Sequence, residues 1–176
     1  MNISIIVGGR FHAFNLAEQL NKKNYLKQLI TSYPKYFVSK KFEICKDKIK
    51  SIYLKEIIQR SFINDIYNFN DYLTEYFARR AESLLDSKDL DILIGWSSFS
   101  YNAFSNIKNK KCIKILERGS THIEFQNDIV KEEYLTQNLK PKLIFKNIIE
   151  KEKIKNELAD YIMVPSEFVK KTFLDK

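Results

Sequence analysis

Ile3-Ser4-Ile5-Ile6-Val7-Gly8-Gly9 opens the chain and decides how the rest is read. The stretch is short, apolar and β-branched, and it runs straight into two glycines, so it reads as a β-strand with a tight exit. Beyond it Phe14, Leu16, Ala17 and Leu20 recur at helical spacing until Lys22-Lys23-Asn24, which predicts a helix immediately after the strand. Leu26–Thr31 repeats the strand pattern and is closed by Ser32-Tyr33-Pro34, and Ile49–Leu54 reads as a weaker third strand. Ile66, Phe69, Leu73, Phe77, Ala81 and Leu84 then keep a three-to-four-residue spacing, the mark of a long amphipathic helix. Asp91–Gly95 and Lys111–Leu116 are short buried-strand patterns, the second running on to Gly119. Helices are expected over about Ile123–Tyr134 and Phe145–Leu158, a last strand over Tyr161–Val164, and a final helix started by Pro165-Ser166 with Ser166 as N-cap. Strands alternating with helices predict an α/β domain with a mainly parallel sheet and helices on both faces.

Composition bounds what such a domain can be. A length of 176 residues suits one domain with a real core, and 44% hydrophobic against 30% charged residues excludes global disorder. No apolar run is long enough for a bilayer, and no secretory leader pattern precedes the first strand, so a cytoplasmic location is expected. Cys45 and Cys112 match no metal or redox spacing and read as reduced, partly buried thiols. A net charge of +8 favours anionic partners, yet the lysines are spread along the whole chain. Arg79-Arg80 and Lys108–Lys111 read as solvated faces, with peripheral contact to an acidic membrane surface as the minority reading. No aromatic-interleaved basic stripe argues for nucleic acid.

The rare residues cluster by position. Gly8, Gly9, Gly95 and Gly119 are the four glycines, and each falls at or just past the end of an expected strand. His12, His122, Trp96 and the pair Glu117-Arg118 fall there too. Open α/β sheets bind ligands outside the carboxyl ends of their strands, where loop amides and helix N-termini favour anions. Gly8-Gly9-Arg10 is not a dinucleotide fingerprint: the glycines are adjacent, and Thr31-Ser32 stands where an acidic residue should end the second strand. A purely connecting turn is the plain alternative. His122, among Glu117, Arg118, Ser120 and Thr121, is the sharper candidate for proton transfer or substrate contact, against a surface or helix-capping histidine. Trp96 with Ser97-Ser98 offers a stacking floor for a sugar or base, with a core-edge aromatic as the equal alternative.

Two stretches carry a resemblance. Glu117-Arg118-Gly119-Ser120-Thr121-His122-Ile123-Glu124-Phe125-Gln126, running on to Glu132-Glu133-Tyr134, resembles a block in the N-terminal domain of glycosyltransferase family 4. Ala159-Asp160-Tyr161-Ile162-Met163-Val164-Pro165-Ser166-Glu167-Phe168-Val169, with Phe173-Leu174, resembles the segment that closes that domain. Residues 35–90 carry no such likeness. The resemblance implies a GT-B architecture of two Rossmann-like domains, with residues 1–176 forming the N-terminal, acceptor-side domain. It implies transfer of a sugar, with retention, from a nucleotide-sugar donor to a saccharide or lipid-linked acceptor, as in cell-surface polysaccharide or glycolipid synthesis, without a metal or other cofactor. Gly8, Gly9 and Arg10 would meet the donor diphosphate and His122 the transferred sugar. Glu117, Arg118, Gly119, Ser120, Trp96 and Ser166 would position acceptor or donor. The family's spaced glutamate pair belongs to its second domain, and Glu150, Glu152 and Glu157 do not replace it. The chain is therefore expected to be one half of a truncated or split protein. The rivals are a stand-alone, non-catalytic α/β module binding a phosphorylated ligand or a partner protein, and another GT-B enzyme such as an epimerase or phosphorylase.

Overall fold

The computed structural model describes residues 1–61, 69–109, 111–141, 143–144 and 146–176. In chain order the elements are β1 (Ile3–Val7), α1 (Ala13–Lys22), β2 (Leu26–Thr31), α2 (Lys35–Lys41), β3 (Ile49–Ser51), α3 (Leu54–Gln59) and α4 (Asn70–Leu84). There follow β4 (Ile92–Trp96), α5 (Tyr101–Asn106), β5 (Ile113–Glu117), α6 (Ile123–Thr136), α7 (Lys146–Glu157), β6 (Tyr161–Met163) and α8 (Glu167–Leu174). Short 3₁₀ turns at Lys46–Lys48 and Ser97–Phe99 lead into β3 and α5.

Among the described residues six strands form one sheet in the order β3-β2-β1-β4-β5-β6, and every pairing is parallel. This is a Rossmann-like α/β fold. Each βαβ connection must cross over a face of the sheet, which is why the strands are apolar on both sides. In β1, Ile5 and Val7 join Phe14 and Ala17 of α1 and Val38 of α2 in one core. Ile6, next along the same strand, joins Phe77 and Ala81 of α4 and Ala103 and Phe104 of α5 in the other. Phe14 and Phe77 are fully buried, each contributing on the order of 1.5–3 kcal/mol of apolar burial.

Registry fixes what meets at the strand ends. Ile5 pairs with Leu29 on one side and with Ile94 on the other. Trp96 stands opposite Glu117, and Glu117 opposite Met163. The Arg118 N–H then donates to the Met163 carbonyl at 2.9 Å, carrying the ladder one residue past β5.

The structure corrects several sequence expectations. β3 ends at Ser51 rather than Leu54: the Ile52 N–H carries the ladder one residue further, donating to the Thr31 carbonyl at 2.8 Å, and Leu54 already begins α3. β4 reaches Trp96, so the tryptophan is the last strand residue and not part of the following loop. Helices α2, α3 and α5, of seven, six and six residues, have no counterpart in the expected element order. Ile66 and Phe145, from which two helices were expected to run, lie outside the described residues, as does Lys110. Cys45 is exposed and Cys112 buried, and both are free thiols. Among the described residues no helix is long and apolar enough to cross a membrane.

Candidate functional site

The strand order reverses between β1 and β4, and a crevice opens at their carboxyl ends in folds of this kind. The loop after β1 (Gly8 to His12) and the turn after β4 (Ser97 to Ser100) flank that point. Two residues there have left-handed backbone, Phe11 with φ 39° and Ser97 with φ 28°, and strain of this sort gathers at functional positions. None of the four glycines has positive φ. Their role is space: a Cβ on Gly8 would lie 2.2 Å from the Phe99 ring, and one on Gly95 would lie 2.2 Å from the Ser100 side chain. Gly9 would press a Cβ to 2.9 Å from Phe11, while Gly119 has nothing within 4 Å.

A buried carboxylate faces an exposed histidine across this edge. His12 Nε2 lies 3.2 Å from Glu117 Oε1, with His12 60% and Glu117 5% exposed at the side chain. The His12 ring also meets Trp96 edge-on, at 5.2 Å between centroids and 61° between planes. Burial pushes the Glu117 carboxyl above its ordinary value, against the pull of His12. Its second oxygen, Oε2, is buried without a hydrogen-bond partner among the described residues.

Next along β5, Arg118 turns into a buried charge network. Its guanidinium donates to Ser97 Oγ at 2.7 Å and to Glu152 Oε2 of α7 at 2.5 Å, and the two side chains are 7% and 9% exposed. Glu152 also accepts from Ser98 Oγ at 3.3 Å and from Lys155 Nζ at 2.6 Å. Burial draws the Glu152 carboxyl upward, but Lys155, Arg118 and Ser98 together hold it below its ordinary value. The Arg118 Nε is buried without a partner among the described residues.

A buried lysine supports the first loop from below. Lys55 of α3 donates to the Gly8 carbonyl at 2.8 Å and to Gln59 Oε1 at 2.7 Å, and its ammonium lies 5.3 Å from the centre of the Phe99 ring. Burial pushes its pKa down, with Glu56 opposing.

His122 is placed differently from His12. It is the N-cap of α6: its Nδ1 accepts from the Glu124 N–H at 3.3 Å, and its own N–H donates to Thr172 Oγ1 of α8 at 3.0 Å. Its ring stands edge-on to Phe173 at 5.2 Å. The helix-capping role is thus realised, on the flank where α8 returns. Burial lowers the His122 pKa below 6.5, Glu124 opposes, and Lys153, Arg118 and Lys176 add to the lowering. Between that lowered value and 6.5 the unfolded chain binds more protons, so stability rises with pH through the window and falls on acidification. His122→Asn, which keeps a capping side chain, is expected to flatten this dependence. Urea midpoints measured between pH 7.5 and 5 check it, and parallel curves for the two proteins would contradict it.

The remaining expected site residues fall as follows. Arg10 is exposed, with its guanidinium 5.5 Å from the centre of the Phe42 ring. Gly119 and Ser120 are exposed at the exit of β5. Ser166 caps α8, its hydroxyl accepting from the Val169 N–H at 3.3 Å. Trp96 is 5% exposed and belongs to the core on the α1 side, so the core-edge alternative describes it and no open ring face is left as a stacking floor. His12, Lys55 and Glu152 join the edge without being assigned a site role from the sequence, and Ser97, read there with Trp96 and Ser98 as a stacking floor, instead accepts from Arg118. Of the first three only His12 has a sequence signal, its place beyond a strand end.

The surroundings are unevenly charged. A cavity of about 540 Å³ lies between α6 and α7, lined by Glu124, Asp128, Lys146, Lys153 and Lys176 among others. A shallower one of about 670 Å³, with Lys108 and Lys111 on its wall, opens at the opposite end of the sheet beside Asn2 and Asp91. Arg79 is paired with Glu75 at 2.7 Å on an exposed face of α4. Along the sequence no basic stripe is interleaved with aromatics, yet the fold makes a small one at α2. There Lys40 and Lys46 lie over Tyr36, and Lys41 over Phe37. No family model matches the chain, and no curated protein or solved structure matches it.

Proposed function

We propose that this domain forms the acceptor-side half of a cleft in which a sugar passes from a nucleotide diphosphate to a hydroxyl of a saccharide or lipid-linked acceptor. The observation that carries the reading is the convergence at one sheet edge of Gly8-Gly9, His12, Ser97, Glu117 and Arg118, flanking the reversal between β1 and β4. Loop amides there suit a diphosphate, and a histidine paired with a carboxylate suits a hydroxyl. The resemblance of residues 117–134 and 159–174 to glycosyltransferase family 4 supplies the reaction class. The protein would work in the cytoplasm. Exposed Tyr36 and Phe37 among the lysines of α2 would suit a lipid-linked acceptor presented at an acidic membrane surface.

Catalysis in such a cleft comes from holding donor and acceptor in line and stabilising the departing diphosphate. The chain alone then lacks half of what orients the donor. The test supplies UDP-glucose, UDP-N-acetylglucosamine and GDP-mannose with saccharide and lipid-linked acceptors. It compares residues 1–176 with the protein encoded by the full reading frame. Transfer by the latter, with the chain alone slower by ~10³-fold or more, is the expected result. An ordinary turnover of ~1–10³ s⁻¹ by the chain alone would show that it is no half-enzyme. No transfer by either would favour the non-catalytic binding module.

A further inference from the structure

Independently of any sugar transfer, we infer that the outer face of α2, continued by Lys46 and Arg10, is the surface by which this domain docks on a bilayer of anionic lipid.

A helix turns ~100° per residue, so Tyr36, Phe37, Lys40 and Lys41 share an arc of ~140° and Val38 lies outside it. Burial follows the same division. Val38 and the capping Phe42 are buried, whereas Tyr36 is 66% and Phe37 40% exposed, and both lysines are exposed. Rings and cations alternate over this face. Lys40 and Lys46 lie over Tyr36 at 5.9 and 5.5 Å, and Lys41 lies over Phe37 at 5.7 Å. Arg10, in the loop after β1, lies over Phe42 at 5.5 Å.

The charge is one-sided. Residues 35–48 hold five lysines against Glu43 and Asp47, and Glu43 is already answered by Lys22 at 3.3 Å. Such an excess draws the face towards an anionic surface. The two basic stretches that stand out in the sequence differ. Arg79 is answered by Glu75, and Lys108 and Lys111 share their cavity wall with Asp89 and Asp91.

The mixture of groups selects the partner. Lysines can reach headgroup phosphates while the rings beside them enter the headgroup boundary, the level at which such amphipathic side chains settle. A single strand of nucleic acid would need bare ring faces on which bases stack. Tyr36, Phe37 and Phe42 each already carry a cation of the chain. Because α2 follows the end of β2 and Arg10 the end of β1, docking by this face sets the carboxyl edge of the sheet beside the bilayer.

Sedimentation of the chain with lipid vesicles tests the docking face. Binding is expected to vesicles of equal parts phosphatidylglycerol and phosphatidylcholine, not to phosphatidylcholine alone, and it should weaken as salt rises. Lys40→Gln with Lys41→Gln and Lys46→Gln is expected to weaken it by ~10²-fold, since each lysine near an anionic surface contributes ~5-fold. Lys40→Arg with Lys41→Arg and Lys46→Arg should retain it. Lys108→Gln with Lys111→Gln, at the other end of the sheet, should change it by no more than ~3-fold. The emission of Tyr36→Trp, read against the background of buried Trp96, is expected to shift to the blue on anionic vesicles and to be quenched by brominated acyl chains. No binding to anionic vesicles, full binding by the folded triple Gln variant, or an equal loss from Lys108 and Lys111 would overturn the docking face. An unshifted Tyr36→Trp on bound vesicles would overturn it as well, even if the Gln variant failed to fold. Binding of an oligouridylate tighter than that of vesicles, and lost in the triple Gln variant, would put single-stranded RNA in place of the membrane.

Discussion

Glu152→Gln is expected to lower the thermal midpoint by roughly 6–20 °C. The carboxylate is buried, and it answers both the Arg118 guanidinium and the Lys155 ammonium. Removing its charge leaves two cations facing each other, one of which already has an unpartnered Nε. Breaking a buried pair from one side costs ~3–5 kcal/mol, a large share of the ~5–15 kcal/mol that holds a domain together. At this chain length each kcal/mol moves the midpoint by ~2–4 °C. The double change Arg118→Met with Glu152→Met should recover most of the loss, because replacing both charges by apolar groups of similar size removes the unpaired charge. Lys155, 14% exposed at its side chain, can then turn to solvent. The Glu152 carboxyl sits below its ordinary 4.5 in the folded state, so its stabilisation is present above that pH and is lost as the pH falls towards the folded value. Calorimetry on the single and double variants decides the matter. A single variant within ~0.5 kcal/mol of the unmodified chain, the scatter of ordinary surface changes, would mean that α7 does not dock on β5 in this way.

The glycines give the second large effect, and they should separate. Gly8→Ala and Gly95→Ala each place a methyl 2.2 Å from atoms of Phe99 and Ser100 respectively. Both neighbours belong to the turn and helix start that fold back over β1 and β4, so neither can retreat without moving that segment. Overpacking of this kind costs ~1–3 kcal/mol. Gly119→Ala meets nothing within 4 Å and needs no positive φ, so it should be neutral or gain up to ~1 kcal/mol through a less flexible unfolded chain. Urea midpoints for the three variants test the contrast. Phe99→Leu added to Gly8→Ala should restore part of the loss, a coupling expected only if ring and methyl collide. Equal effects at all three positions would mean that Phe99 and Ser100 do not pack on the strands as described.

Much of the fold is readable from single segments. β1 and β2 were delimited to the residue by apolar, β-branched runs ending at Gly8 and Ser32, and the cap of α8 by Ser166 alone. The helices that escaped, α2, α3 and α5, are too short to show a helical period, and their few apolar residues scan equally well as loop. β3 was overextended because Ile52 and Leu54 continue its apolar pattern while the backbone has already turned towards α3. The site was legible in its location and not in its pairings. A strand exit can be guessed from Gly119 and Glu117, but Glu117 finds its histidine 105 positions earlier in the chain, and Arg118 finds its carboxylate 34 positions later. His122 stands out in the sequence through its polar neighbours, but Glu117 and Arg118 turn to other partners while His122 itself caps a helix start. Glu152 lies in a run rich in charge, where nothing local distinguishes the one side chain that the fold buries.

The two outermost strands of the sheet, β3 and β6, are three residues each. Few unpaired amide and carbonyl groups are therefore presented along either margin, and Lys50 and Asp160 set charge beside them. A long, flat margin would act as a template for another copy's backbone, whereas such stubs give an incoming strand too few hydrogen bonds to hold it. The short margins thus work against edge-to-edge association of one copy of the sheet with another.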